Sequence, residues 1–215
     1  MIRQVLAVFL DPRMQRTLLL QAAEHISLSL SAVVLAVLVA VPLGVWLTRR
    51  EQLAEPVMAT FGLLQTIPSV ALLAFMIPLL GIGREPALAA LFLYALMPIL
   101  RSTYTGIKQV DDAILEAGRG MGMTSRQLLF LVEMPIALRV ILSGIRVSTV
   151  LIIGWATLAA FVGGGGLGNT IMSGFAMVSP GQILAGGIPV TLLALLADYL
   201  LGRLERVVTP RSLRA

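Results

Sequence analysis

The chain has no cysteine and a single histidine, His25. The first absence excludes disulfides, thiol nucleophiles and Cys-ligated metals. The second leaves too little imidazole for a His-rich metal site, and His25 is expected at an interfacial position near a helix start. Charge is scarce as well: 13% of residues are Asp, Glu, Lys or Arg, against roughly 25% in soluble domains. Neither the HExxH metal motif nor the GxSxG nucleophile elbow occurs, so no catalytic residue is assigned and an intramembrane enzyme is set aside.

What fills the chain instead is apolar. Hydrophobic residues make up 58% and the mean hydropathy is +0.94. So little charge cannot clothe a protein surface in water, which points to an all-α integral membrane protein. The net charge of +5 does not imply a nucleic-acid partner, because aromatic and basic residues do not interleave as such a surface needs. No metal or organic cofactor is expected.

Crossing about 30 Å of hydrocarbon takes about 20 helical residues. Five segments qualify, at about residues 26–48, 57–80, 87–105, 136–162 and 183–201. The second carries Gln65, Thr66, Pro68 and Ser69 mid-span and is expected to be kinked, or even split. Polar groups and a proline-freed carbonyl are costly in lipid, so this break is the candidate substrate path; a plain structural kink is the alternative. Ahead of the first span, residues 1–25 do not read as a secretory signal, since Asp11-Pro12 breaks a short apolar patch. They are expected to lie on the membrane surface as an amphipathic segment.

Basic residues in the short connections set the orientation. Arg49, Arg50, Arg101, Lys108, Arg119, Arg126, Arg139, Arg203, Arg206, Arg211 and Arg214 fall on one side, and only Arg3, Arg13, Arg16 and Arg84 on the other. The bias puts the N-terminus outside and the C-terminus in the cytoplasm. The expected organisation is an external or interfacial segment 1–25, a transmembrane domain 26–204 with a cytoplasmic loop 106–135, and a basic tail 205–215. Arg146 and Asp198 lie inside spans and are expected to snorkel to the headgroups, Asp198 beside Arg203 and Arg146 beside Arg139.

The loop 106–135 interrupts this apolar chain with "EAGRGMGMTSRQLLFLVEMP". Asp111 reads as an N-cap and Asp112 suits the helix dipole. A short helix through Ile114, Leu115, Glu116 and Ala117 is then weakened by Gly118, Gly120 and Gly122. Thr124 and Gln127 form a capping box for a second helix running to Pro135. Ile114, Leu115, Met121 and Met123 would be displayed on the water side, a pattern that fits either a docking surface or a loop resting on the membrane.

This stretch resembles the "EAA" loop of binding-protein-dependent ABC importer permeases: E-A-A, three residues, G, nine residues, I-x-L-P. Here Glu116-Ala117-Gly118, Gly122 and Val132-Glu133-Met134-Pro135 keep every interval, with Gly for the second Ala and Val and Met for Ile and Leu. The resemblance implies a type I importer permease fold and a coupling helix seated in an ABC ATPase subunit, with Glu116, Ala117, Gly118, Gly122 and Pro135 as coupling residues. It also implies an extracytoplasmic substrate-binding protein and a second permease copy or a sister permease, all set in membrane lipid. Likeness continues across about residues 21–204, where "LLQTIPSVALLAFMIPLLGIG" and "ATLAAFVGGGGLGNTIMSG" resemble permeases for quaternary-amine osmoprotectants such as glycine betaine, choline and carnitine. Methionine-importer permeases are the alternative. A stand-alone ion-coupled transporter ranks lower, since five spans make no equal inverted halves.

"GGGGLGNT" has the spacing of a phosphate-binding loop, but Asn169 stands where the lysine is needed. Gly163, Gly164, Gly165 and Gly166 are expected instead to form a flexible external gate or a contact for the binding protein, and the residues do not choose between those roles. No aromatic cage for a quaternary amine is assigned.

Overall fold

The protein is described here by a computed structural model covering residues 11–208. Arg3, Arg211 and Arg214, and with them the ends of the N-terminal segment and of the basic tail, lie outside the described residues.

Helix α1 spans Pro12–Thr48. Asp11 caps it, its carboxylate accepting from the Arg13 amide at 2.9 Å, and Pro12 occupies the first turn. The Asp11-Pro12 pair is therefore a helix start, and residues 12–25 continue without a break into the first span. At 37 residues the helix is about 55 Å long, well beyond the ~30 Å of a hydrocarbon core. The described part of the N-terminal segment is an extension of α1, not a separate surface helix.

The second expected span is two helices, α2 (Glu51–Thr66) and α3 (Ser69–Leu80), bent by 98° across Ile67-Pro68. The turn is far sharper than a kink. Helix α4 (Arg84–Lys108) then runs back through the bundle. Two short helices follow, α5 (Asp112–Gly120) and α6 (Ser125–Leu128), and a π-helical turn Leu129–Glu133 leads into α7 (Met134–Trp155). A 3₁₀ segment Ala156–Val162, helix α8 (Gly168–Ala176) and the long α9 (Pro180–Val208) complete the described chain. Four helical stretches are long and apolar enough to cross a membrane, and the bent α2–α3 pair makes a fifth candidate.

Helix α4 is central, packed between α1 and α7, while α9 rests on α7 and α8. Along α1, Ala32, Ala36 and Ala40 are fully buried, and Gly44 continues the four-residue stripe. A Cβ at Gly44 would stand 2.8 Å from Thr103 of α4. Lipid gives no hydrophobic drive between helices, so small residues that let backbones approach supply the packing. On the other side of α4, buried Ser148 of α7 donates to the Ala95 carbonyl at 3.1 Å.

Two expectations fail here. His25 is completely buried, its Nε2 lying 2.8 Å from the Ile153 carbonyl oxygen, because the α1 extension folds it under the opposite connection. Arg146 and Asp198 do not snorkel apart. They form a bidentate pair across α7 and α9, with both N–O distances 2.6 Å, and Glu205 lies 3.6 Å from the same guanidinium. Pairing removes much of the cost of two charges inside spans, which separate same-helix neighbours could not do.

Candidate functional site

The loop between α4 and α7 is built as two helices at an elbow. Asp111 accepts from the Ala113 amide at 2.9 Å. Helix α5 runs further than its glycines suggest, through Gly118 to Gly120, and the elbow falls at Met121-Gly122-Met123. Gly122 has φ +82°, a left-handed conformation that a side chain disfavours. Gly118 has a different role: a Cβ there would sit 2.6 Å from Leu128 Cδ2, so its absence lets α6 close on α5. The capping box forms as expected, Thr124 N donating to Gln127 at 2.8 Å and Gln127 N to Thr124 Oγ1 at 3.3 Å.

Glu116 and Ala117 lie on the exposed part of α5, with Ile114 and Met121 also exposed, while Leu115 and Met123 are half-buried. The elbow thus presents a small apolar ledge rather than four free side chains. Pro135 sits in the first turn of α7. Glu133, just before it, is buried and ion-paired with Arg49 at the end of α1. Lys108, closing α4, reaches Glu51 of α2 at 2.5 Å. Both ends of the loop are therefore tied to neighbouring helices. Along the sequence nothing local links Arg49, one of the orientation charges, to Glu133, an unassigned position within the motif.

At the break between α2 and α3, Gln65, Thr66 and Pro68 are exposed and Ser69 is half-buried. The Gln65 amide approaches the Tyr94 carbonyl at 3.4 Å, and the Tyr94 hydroxyl donates to the Ile67 carbonyl at 2.5 Å. The carbonyl released by the break thus finds a donor on α4, as a polar group in lipid must. Thr66 satisfies its hydroxyl on Leu63. The Tyr94 ring meets Trp155 edge to face at a centroid distance of 4.5 Å. Neither aromatic was singled out from the sequence. A hydroxyl inside a span signals that a partner is needed, but not which one.

At the opposite end of the bundle, the glycine connection is packed rather than loose. Gly163, Gly165 and Gly166 have positive φ. The Gly166 amide donates to Glu24 at 3.0 Å, and Thr170 donates to Gln21 at 2.6 Å. A Cβ at Gly166 would stand 3.0 Å from His25 Nδ1, and one at Gly164 would stand 2.7 Å from the Ala87 side chain. The α1 extension and the start of α4 therefore hold this loop from two sides.

An all-helical, multi-span bundle with a displayed two-helix elbow has the architecture of a transport permease, and comparison with known proteins agrees. Residues 26–212 match the family described as "Binding-protein-dependent transport system inner membrane component". The chain belongs to that family and is an inner-membrane component of a transport system. It is 53% identical over 197 residues to the glycine betaine/carnitine/choline transport system permease protein OpuCB of Bacillus subtilis, covering 92% of this chain and 91% of that one. It is 52% identical to the choline transport system permease protein OpuBB of the same organism, at the same coverages. Identity to the osmoprotectant import permease protein OsmW of Salmonella typhimurium is 45%, covering 89% of this chain and 91% of that one. Among solved structures, a chain of the inward-facing MetNI methionine ABC transporter aligns with TM-score 0.82 and 23% identity, covering 94% of this chain and 100% of that one. At that identity the likeness establishes the type I importer permease fold alone.

Proposed function

We propose that this chain is the permease subunit of an ABC importer for quaternary-amine osmoprotectants of the glycine betaine, carnitine and choline class. The observation that carries this reading is identity above 50% along nearly the whole chain to permeases named for those solutes. In this reading ATP is hydrolysed on separate ABC subunits, and an extracytoplasmic binding protein delivers the solute. A second permease copy or a sister permease completes the path. The C-terminus and the elbow are cytoplasmic, the N-terminus external.

Glu116, Ala117, Gly118 and Gly122 form the surface that the ATPase grips, and Pro135 starts the helix that receives the push. Because the elbow joins α4 directly to α7, movement there displaces both helices together. Tyr94 of α4 passes that displacement to Ile67, so the break at Gln65, Thr66, Pro68 and Ser69 opens or closes the substrate path. Gly163, Gly164, Gly165 and Gly166 form the external gate, which Glu24 latches.

The test is uptake of radiolabelled glycine betaine, choline, carnitine and methionine in cells with and without the chain. Loss of amine uptake with methionine unaffected supports the proposal; loss of methionine uptake alone transfers the chain to the methionine type. Uptake by the reconstituted chain alone, driven by an ion gradient, would exclude an ABC mechanism. The cysteine-free sequence permits a direct check of orientation, since Met121→Cys should react with an impermeant maleimide only after cells are opened.

A further inference from the structure

Helices α2 and α4 run antiparallel, tied at one end by Lys108 to Glu51 at 2.5 Å and towards the other by the Gln65 amide to the Tyr94 carbonyl at 3.4 Å. Between those ties they leave a hollow of about 540 Å³, whose walls include Glu55 and Met58 of α2 and Met97, Arg101 and Tyr104 of α4. That size lies within the about 300–1,000 Å³ of small-molecule sites. Gln65 and Tyr94, at the candidate substrate path, are about 15 Å further along the two helices than Glu55 and Tyr104. The hollow is the other end of the same α2–α4 face.

Two charges of opposite sign stand on opposite walls and do not meet. Glu51 is taken by Lys108, but among the described residues neither Glu55 nor Arg101 has an ion pair or a hydrogen bond through its side chain. Arg101 is exposed and lies about 10 Å from the end of α4 at Lys108. A charge set that far into a span faces water or a ligand path rather than lipid. Arg146 of α7, by contrast, meets Asp198 and Glu205. Around Glu55 and Arg101 the walls present the Tyr104 ring and the thioethers of Met58 and Met97, all half-buried.

We propose that this hollow binds a small zwitterion carrying a carboxylate and a quaternary ammonium, with the carboxylate on Arg101 and the cationic head between Glu55 and the Tyr104 ring. A guanidinium fork matches a carboxylate through two parallel hydrogen bonds. A quaternary ammonium has no N–H to donate, so its recognition falls to charge, to an aromatic face and to apolar contact with its methyls. Glu55, Tyr104 and the two methionines supply those three. A primary ammonium would instead turn N–H donors towards thioethers, which are weak acceptors. The proposal rests on reading the chain as a quaternary-amine permease. It adds the residues that tell zwitterionic amines, such as glycine betaine and carnitine, from choline, which has no carboxylate to offer Arg101.

The test is a saturation-transfer NMR titration of glycine betaine and of choline against the full-length chain, purified with the subunits that accompany it but without a binding protein. Nanodiscs free of phosphatidylcholine avoid a competing quaternary amine. The wild type should bind glycine betaine on the order of tenfold more tightly than choline, the scale of one charge-assisted contact. Arg101→Gln should bring glycine betaine to the affinity of choline and leave choline unchanged, while Arg101→Lys keeps part of the preference. Glu55→Gln and Tyr104→Leu should each weaken both amines. Because the readout is a ratio within one preparation, partial misfolding of a variant does not imitate the result. Equal affinities in the wild type, binding of neither amine (as when a second permease copy fills the hollow), or a preference that survives Arg101→Gln overturns the proposal. Uptake in cells separates the two levels of failure. Amine uptake that depends on the chain, with an unchanged ratio in Arg101→Gln, overturns this site alone; absence of such uptake removes the reading beneath it.

Discussion

Arg49, just past the end of α1, and Glu133, last residue of the π turn before α7, form an ion pair in which the carboxylate is buried and the guanidinium half-exposed. They stand 84 positions apart, and their contact fixes the exit of the elbow against a helix that the elbow does not adjoin in sequence. Arg49→Gln should leave the acid buried without a charge partner and cost on the order of 1–3 kcal/mol. Arg49→Gln combined with Glu133→Gln should recover part of that loss. Thermal unfolding in detergent checks both, and an Arg49→Gln variant as stable as the wild type would show that the pair carries no weight.

The two motif glycines should respond differently to alanine. At Gly118 the intruding methyl meets the tip of Leu128 at 2.6 Å and Met123 Sδ at 3.2 Å, both on flexible side chains that can rotate, and alanine is better than glycine in a helix by about 1 kcal/mol. Gly118→Ala should be nearly neutral. At Gly122 a Cβ has open space but the φ of +82° is strained, at a cost of about 1–2 kcal/mol. Gly122→Ala should lower the melting point modestly, while Gly122→Trp should abolish co-purification with an ATPase. Retained assembly in the tryptophan variant would count against the elbow as the coupling surface.

Tyr94→Phe keeps the ring against Trp155 but removes the donor to Ile67. A stranded carbonyl at the break should cost about 1–3 kcal/mol and slow uptake. Trp155 emission, recorded in a Trp46→Phe background, should stay unchanged. If uptake and stability both match the wild type, the Tyr94 hydroxyl does not brace the break.

Breaking the Arg146–Asp198 pair from either side should be worse than removing it whole. Asp198→Asn or Arg146→Met should each lower the melting temperature, and Arg146→Met/Asp198→Leu should regain most of the loss. A double-mutant cycle on melting temperature measures the coupling, and additive effects would mean the bidentate geometry contributes nothing.

Much of this could be read along the chain. Apolar length found the five candidate spans, but α1 begins at Pro12, the second is two helices starting at Glu51, and α9 runs on to Val208. The capping signals around Asp111 and Thr124 gave the elbow's two helices, because caps are contacts among residues two or three apart. Glu24 against Gly166, Tyr94 against Ile67 and Arg146 against Asp198 had no such local signal. Polar or charged groups in spans announce that a partner is required, yet many side chains could answer.

Composition and short-range pattern were enough for a membrane-spanning helical protein with a glycine elbow, since hydropathy, caps and turn glycines act over one or two helical turns. That the second span turns through 98°, that His25 is buried, that α1 clasps the glycine connection, and which charges meet all came from the packing of helices distant along the chain. Those outcomes depend on which helices become neighbours, and in lipid that choice rests on close small-residue packing and on pairing polar groups across helices, both long-range in sequence.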